Sequence, residues 1–110
     1  MMRFEPMKLP GVWLVEPECR VDERGLFARV FCAHEFRARG LVTEYVQGST
    51  SFTRERGTIR GLHFQRPPSA EVKLVRCTAG VVHDVVVDVR RDSPTYLQHV
   101  AVELTADTHR

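Results

Sequence analysis

Turn-forming clusters punctuate the chain from Thr43 onward, and this spacing most restricts what it can fold into. Arg54-Glu55-Arg56-Gly57, Arg66-Pro67-Pro68-Ser69, Thr78-Ala79-Gly80 and Arg91-Asp92-Ser93-Pro94-Thr95 break the sequence into short runs rich in Val, Thr, Tyr and Phe. β-Branched and aromatic runs bounded by Gly and Pro read as strands, and strands about 8–12 residues apart argue for a sandwich or barrel. Strands are predicted over 43–52, 58–65, 71–77, 81–90 and 96–104, with 81–90 the most β-prone. Earlier in the chain, 12–15 reads as a first, edge strand between Pro10-Gly11 and Pro17. Asp22-Glu23-Arg24-Gly25 reads as a turn and 26–32 as a strand. The convincing helix lies near 33–39. Gly40 follows it as a cap, and Arg37 and Arg39 complement the negative end of its dipole. A helix this short must be held by tertiary contact through Phe36.

A length of 110 residues allows one domain, and 43% hydrophobic residues supply one modest core. The net charge of +2 is too balanced for a nucleic-acid binder driven by electrostatics. The tightest basic cluster, Arg54, Arg56 and Arg60, suits either one phosphate-bearing small molecule or a solvated loop. Cys19, Cys32 and Cys77 are odd in number and lack zinc spacing, so free thiols in a reducing cytoplasm are expected. Charged residues among the first ten rule out an apolar signal segment there, and no run is apolar enough to span a membrane.

The densest chemistry lies in Gly57-Thr58-Ile59-Arg60-Gly61-Leu62-His63-Phe64-Gln65, with Lys73 ten residues beyond His63. An imidazole takes and gives protons near neutral pH, so His63 is the base candidate. The competing reading is a buried histidine satisfying a backbone carbonyl. Lys73 is either a semi-buried ammonium placed to stabilise an enolate oxygen or a solvent-facing residue. Strict alternation puts Arg60 and His63 on opposite faces. A shared site therefore requires an irregularity at or near Gly61. Asp84, among apolar neighbours, is placed to orient His63, to pair with Lys73, or to act as a structural acceptor. His83 falls on the opposite face. Histidines 63 and 83 without a His-x-His pair make a weak metal set. No nucleophile elbow, phosphate-binding loop or dinucleotide fingerprint is present.

At Arg60-Gly61-Leu62-His63-Phe64-Gln65 the chain resembles the dTDP-4-dehydrorhamnose 3,5-epimerase family. The matching stretches run in order from Leu9-Pro10-Gly11-Val12 to Ser93-Pro94-Thr95. They include Asp22-Glu23-Arg24-Gly25, Tyr45-Val46-Gln47, Lys73-Leu74-Val75-Arg76 and Asp84-Val85. The resemblance implies a mainly β, cupin-like jelly roll, a homodimer, and neither metal nor organic cofactor. It implies proton abstraction beside the 4-keto group of a dTDP-sugar, in deoxysugar synthesis in the cytoplasm. By position His63 corresponds to the base and Lys73 to the enolate-stabilising residue. Arg60, Arg24, Gln47 and Asp84 correspond to substrate-binding positions, with Arg24 reaching across the dimer in some members. Arg29, Ser49-Thr50 and His83 depart from the usual pattern and bear on substrate fit. The family's tyrosine acid and the aspartate that pairs with the base lie beyond Arg110. Residues 1–110 thus read as a single cupin-like domain shortened at its C-terminus, and such a chain on its own is expected to be a poor enzyme. The alternatives are a non-catalytic nucleotide-sugar-binding or dimerisation module, a mono-epimerase or ketoisomerase of a related dTDP-sugar, and a metal cupin.

Overall fold

A computed structural model describes residues 1–110. It is mainly β: three two-stranded antiparallel sheets and one short helix. Strand β1 (Met2–Pro6) pairs with β2 (Trp13–Pro17), Met2 opposite Pro17 and Pro6 opposite Trp13. The sequence reading began the sheet at 12–15 and passed over β1. Yet Met2-Arg3-Phe4-Glu5 alternates apolar and charged residues, the period of a half-buried strand. Strands β3 (Cys19–Asp22) and β4 (Gly25–Ala28) form a second hairpin around the expected turn. Its turn is fixed by Asp22, whose carboxylate accepts from the Arg24 amide at 2.9 Å and from the Arg24 guanidinium at 2.7 Å.

Helix α1 (Ala33–Arg37) is two residues shorter than expected. The chain leaves it through Gly40, at φ +69°. The amides of Leu41 and Gly40 donate back to Phe36 and Arg37, each at 3.0 Å. These are the two bonds of a Schellman closure, which needs a left-handed residue where Gly40 stands. Phe36 is 1% exposed, and its ring meets Phe4 at 5.5 Å and Phe31 at 4.8 Å, both edge-on. Those contacts hold a five-residue helix that has too little intrinsic stability to persist alone.

The expected strands over 43–52, 58–65 and 71–77 do not form ladders here. Between residues 42 and 79 the backbone makes two backbone–backbone hydrogen bonds, both local turns: Thr58 to Glu55 and Ser69 to Arg66. An extended run becomes a strand only when a neighbour about 4.8 Å away takes up its N–H and C=O groups. No strand of this chain runs alongside these segments. Their apolar side chains are correspondingly open, Ile59 at 91% and Leu62 at 68% exposure.

Strand β5 (Val81–Val87) pairs with β6 (His99–Thr105), Asp84 facing Val102 and His83 facing Glu103. Both strands are shorter than expected because regular pairing stops at Asp88. There Leu97, at φ +65°, folds back and donates to the Asp88 carbonyl at 2.7 Å. The Asp88 side chain organises the connection that follows. Its carboxylate accepts from the Arg90 amide and from Nε and a terminal nitrogen of Arg90, all at 3.0 Å, and from the Ser93 and Thr95 hydroxyls. Cys77 is buried, Cys32 is half-buried just before α1, and Cys19 is exposed. No helix is long and apolar enough to cross a membrane.

Candidate functional site

A broad cavity of about 950 Å³ opens between β2, the β5–β6 hairpin and the segments around 60–65 and 71–76. Each wall follows from the elements beneath it. On the β5–β6 sheet, Asp84 and Val86 lie opposite Val102 and Val100, and all four line the cavity. His83 pairs with Glu103 on the other face and is exposed, as strict alternation requires. Strand β2 contributes Trp13 and Val15.

Arg60 and His63 both line the cavity, and the backbone between them departs from a regular strand. Gly61 sits at φ +94°, a conformation L-residues rarely adopt. That irregularity is the one the sequence demanded if the two side chains were to share a site. The Arg60 guanidinium is anchored from behind. Its Nε donates to Thr53 Oγ1 at 3.1 Å and a terminal nitrogen donates to the Phe52 carbonyl at 2.9 Å.

Lys73 also faces the cavity, 47% exposed along its side chain, so it is neither fully buried nor free. Its Nζ donates to the His63 carbonyl at 3.5 Å and lies 3.7 Å from Glu71 Oε1. The carboxylate beside Lys73 is therefore Glu71 rather than Asp84. Asp84 is half-buried and makes neither a side-chain hydrogen bond nor an ion pair. A regular strand would place Lys73 and Arg76 on opposite faces, yet with no regular strand over 71–77 both line the cavity.

Four of the six residues singled out in the sequence are thus brought together: Arg60, His63, Lys73 and Asp84. The other two stand apart from the lining. Arg24 lies at the tip of the β3–β4 hairpin, paired with Asp22, whose carboxyl the Arg24 hydrogen bonds hold below its ordinary pKa. Gln47 is exposed in the irregular stretch after α1. Sequence reasoning passed over Trp13 and Arg76 as site residues. The signals were a lone tryptophan at the start of a strand and a second cation three residues after Lys73. The site can meet a polyanion with Arg60 and Arg76 while holding an imidazole, an ammonium and a free carboxylate in the same cavity. No three of the His, Cys, Asp and Glu side chains cluster as a metal set.

Comparison with known proteins identifies the family. The family model for dTDP-4-dehydrorhamnose 3,5-epimerase matches residues 6–110. A dTDP-4-dehydrorhamnose 3,5-epimerase from Sinorhizobium fredii is 43% identical over 106 residues, covering 96% of this chain and 54% of that protein. A dTDP-4-dehydrorhamnose 3-epimerase from Streptomyces niveus is 42% identical over 96 residues, covering 86% of this chain and 46% of that protein. Among solved structures, the 3,5-epimerase of Bacillus anthracis, with TDP and PPi bound, superposes with a TM-score of 0.94 at 38% identity. It covers 99% of this chain and 62% of that one. The chain therefore spans about half to three-fifths of the length of these relatives, with their cupin-like β fold over that span. A match from residue 6 to residue 110, with the fold agreeing end to end, leaves one assignment: the chain belongs to the dTDP-4-dehydrorhamnose 3,5-epimerase family.

Proposed function

We propose that this protein epimerises a dTDP-4-dehydro-6-deoxy sugar. It converts dTDP-4-dehydro-6-deoxyglucose to dTDP-4-dehydro-L-rhamnose by moving protons at C3 and C5, in cytoplasmic deoxysugar synthesis. The observation that carries this reading is the convergence of Arg60, His63, Lys73 and Asp84 on one cavity in a chain of this family. A hydrogen on carbon next to a ketone becomes acidic only when the enolate oxygen is stabilised as charge builds on it. His63 takes the proton, and the Lys73 ammonium faces the developing oxyanion. One such donor is typically worth about 3–4 kcal/mol of barrier. Reprotonation from the opposite face, by the tyrosine acid that the family resemblance implies outside these residues, inverts the carbon.

Arg60, held by Thr53 and the Phe52 carbonyl, presents its guanidinium to the diphosphate. Asp84, without a partner in the chain, accepts from the substrate. Arg24 and Gln47, outside the cavity, serve the nucleotide end, Arg24 from across a homodimer. The open apolar side chains of Ile59, Leu62 and Phe64 favour such pairing, since a second subunit would take them out of water.

The test is solvent deuterium uptake at C3 and C5 of dTDP-4-dehydro-6-deoxyglucose by the full-length protein. Exchange at both carbons that disappears in His63→Ala is expected. Absence of exchange, or exchange undiminished in that variant, overturns the reading. The Streptomyces niveus relative, named as a 3-epimerase, is as similar as the 3,5-epimerases. That similarity favours a second reading, epimerisation at C3 alone, which the same experiment separates by counting the labelled carbons.

A further inference from the structure

We propose that Arg90 is a positioning residue that fixes the distance between the β2 side and the β5 side of the cavity. No backbone ladder joins the β1–β2 hairpin to the β5–β6 hairpin, so side chains must set their relation. Arg90 does this with one planar group. A terminal nitrogen donates to the Pro10 carbonyl at 2.8 Å, across 80 residues of sequence. The same guanidinium grips both carboxylate oxygens of Asp88 at 3.0 Å. Asp88 directly follows β5, its side chain is 0% exposed, and the Ser93 and Thr95 hydroxyls also donate to its carboxylate. Pro10 belongs to the turn that leads into Trp13 at the start of β2.

Gly11, at φ +87°, gives this turn a left-handed backbone that side chains rarely adopt, next to the Pro10 carbonyl that accepts from Arg90. A Cβ added at Gly11 would lie 3.8 Å from the other terminal nitrogen of Arg90. A second link, Arg110 to Glu16, is longer at 3.7 Å and is an ion pair without a hydrogen bond. Trp13 and Val15 on one side, and Asp84 and Val86 on the other, line the cavity, so their separation passes through Arg90. A lysine keeps the charge but lacks the fork needed to hold a carboxylate and reach a carbonyl together.

Trp13 is the only tryptophan in the chain, which gives a readout independent of any ligand. Acrylamide quenching of its fluorescence should be measured in Arg90→Ala and Arg90→Lys, at a temperature where far-ultraviolet circular dichroism matches the parent protein. Phe36→Leu, on the buried face of α1, serves as a comparison of reduced stability. The quenching constant is expected to rise about two-fold in both Arg90 variants and to stay at the parent value in Phe36→Leu, since local opening is separable from global stability. Parent-like quenching in a folded Arg90 variant overturns the proposal, and so does an equal rise in Phe36→Leu. If Arg90→Ala does not fold, Arg90→Lys decides.

Titration with dTDP adds a consequence that rests on the proposed function: affinity about ten-fold weaker in Arg90→Lys, or about 1.4 kcal/mol. Failure of the parent protein to bind dTDP counts against that function, and the quenching result still decides the role of Arg90.

Discussion

The ammonium of Lys73 donates to the main-chain carbonyl of His63 across 3.5 Å. The cation on one segment is thereby referenced to the backbone that carries the imidazole, not to the imidazole itself. Glu71, 3.7 Å away, holds the same ammonium from its own segment. On the proposed chemistry, Lys73→Met removes a donor that matters most as the enolate forms. Its deuterium exchange rate should fall about 10²–10³-fold, the usual loss for one such donor. Affinity for dTDP should change far less, because the interaction grows only as charge develops. Exchange at the parent rate would remove Lys73 from the chemistry.

Gly61 sets the aim of His63. A Cβ added there would lie 3.3 Å from the His63 amide nitrogen and 3.4 Å from its Nδ1, on a backbone at φ +94°. Gly61→Ala should therefore cost about 1–2 kcal/mol, read as a lower urea midpoint at unchanged slope. It should also lower exchange by more than this stability loss explains, because the crowded atoms belong to the base. A variant with the parent midpoint would mean that the segment relaxes without strain.

Legibility in the sequence followed the range of the interactions. The Asp22–Gly25 turn, the helix stop at Gly40 and the opposite facing of His83 and Asp84 depend on neighbours a few residues away, and all three could be read directly. Strand β1 was legible in principle, since Met2-Arg3-Phe4-Glu5 carries the right period. The runs over 58–65 and 71–77 have strand composition but no strand beside them in this chain. Composition reports the readiness of a run to pair and says nothing of whether a partner is present. The same gap explains the site. The convergence of Arg60 and His63 rested on a backbone irregularity that Gly61 advertised. Arg76 lines the cavity together with Lys73 because no ladder over 71–77 enforces alternation. The link from Arg90 to Pro10 spans 80 residues and leaves no local trace.

The helix should be the part of the chain most sensitive to a single core truncation. Phe36 is 1% exposed and touches the rings of Phe4 and Phe31, which belong to β1 and to the segment before α1. Phe36→Ala should cost about 3–5 kcal/mol, combining lost burial with the cavity left behind. Urea denaturation followed at the helical signal measures it. Phe36→Leu should retain a good part of the stability, as it keeps most of the apolar volume. Equal losses in both would mean that the edge-on ring contacts, rather than volume, hold α1.

Acid should weaken the connection after β5 through Asp88. The Arg90 side chain, followed by the Ser93 and Thr95 hydroxyls, holds the Asp88 carboxyl far below the usual carboxylate range. A carboxyl more acidic in the folded than in the unfolded chain binds fewer protons when folded, so it adds stability as pH rises. That contribution is complete above the unfolded value of about 3.9 and fades as pH falls toward the folded value. Asp88→Asn should therefore melt roughly 5–10 °C below the parent protein near neutral pH, having lost the charge that three partners recognise. The gap should narrow as pH drops below about 4, because the unfolded parent chain then takes up a proton at Asp88 that the folded chain does not. Melting curves of the two proteins across that range provide the check. A gap that stayed constant into strong acid would show that Asp88 acts through its shape and hydrogen bonds and not through its charge.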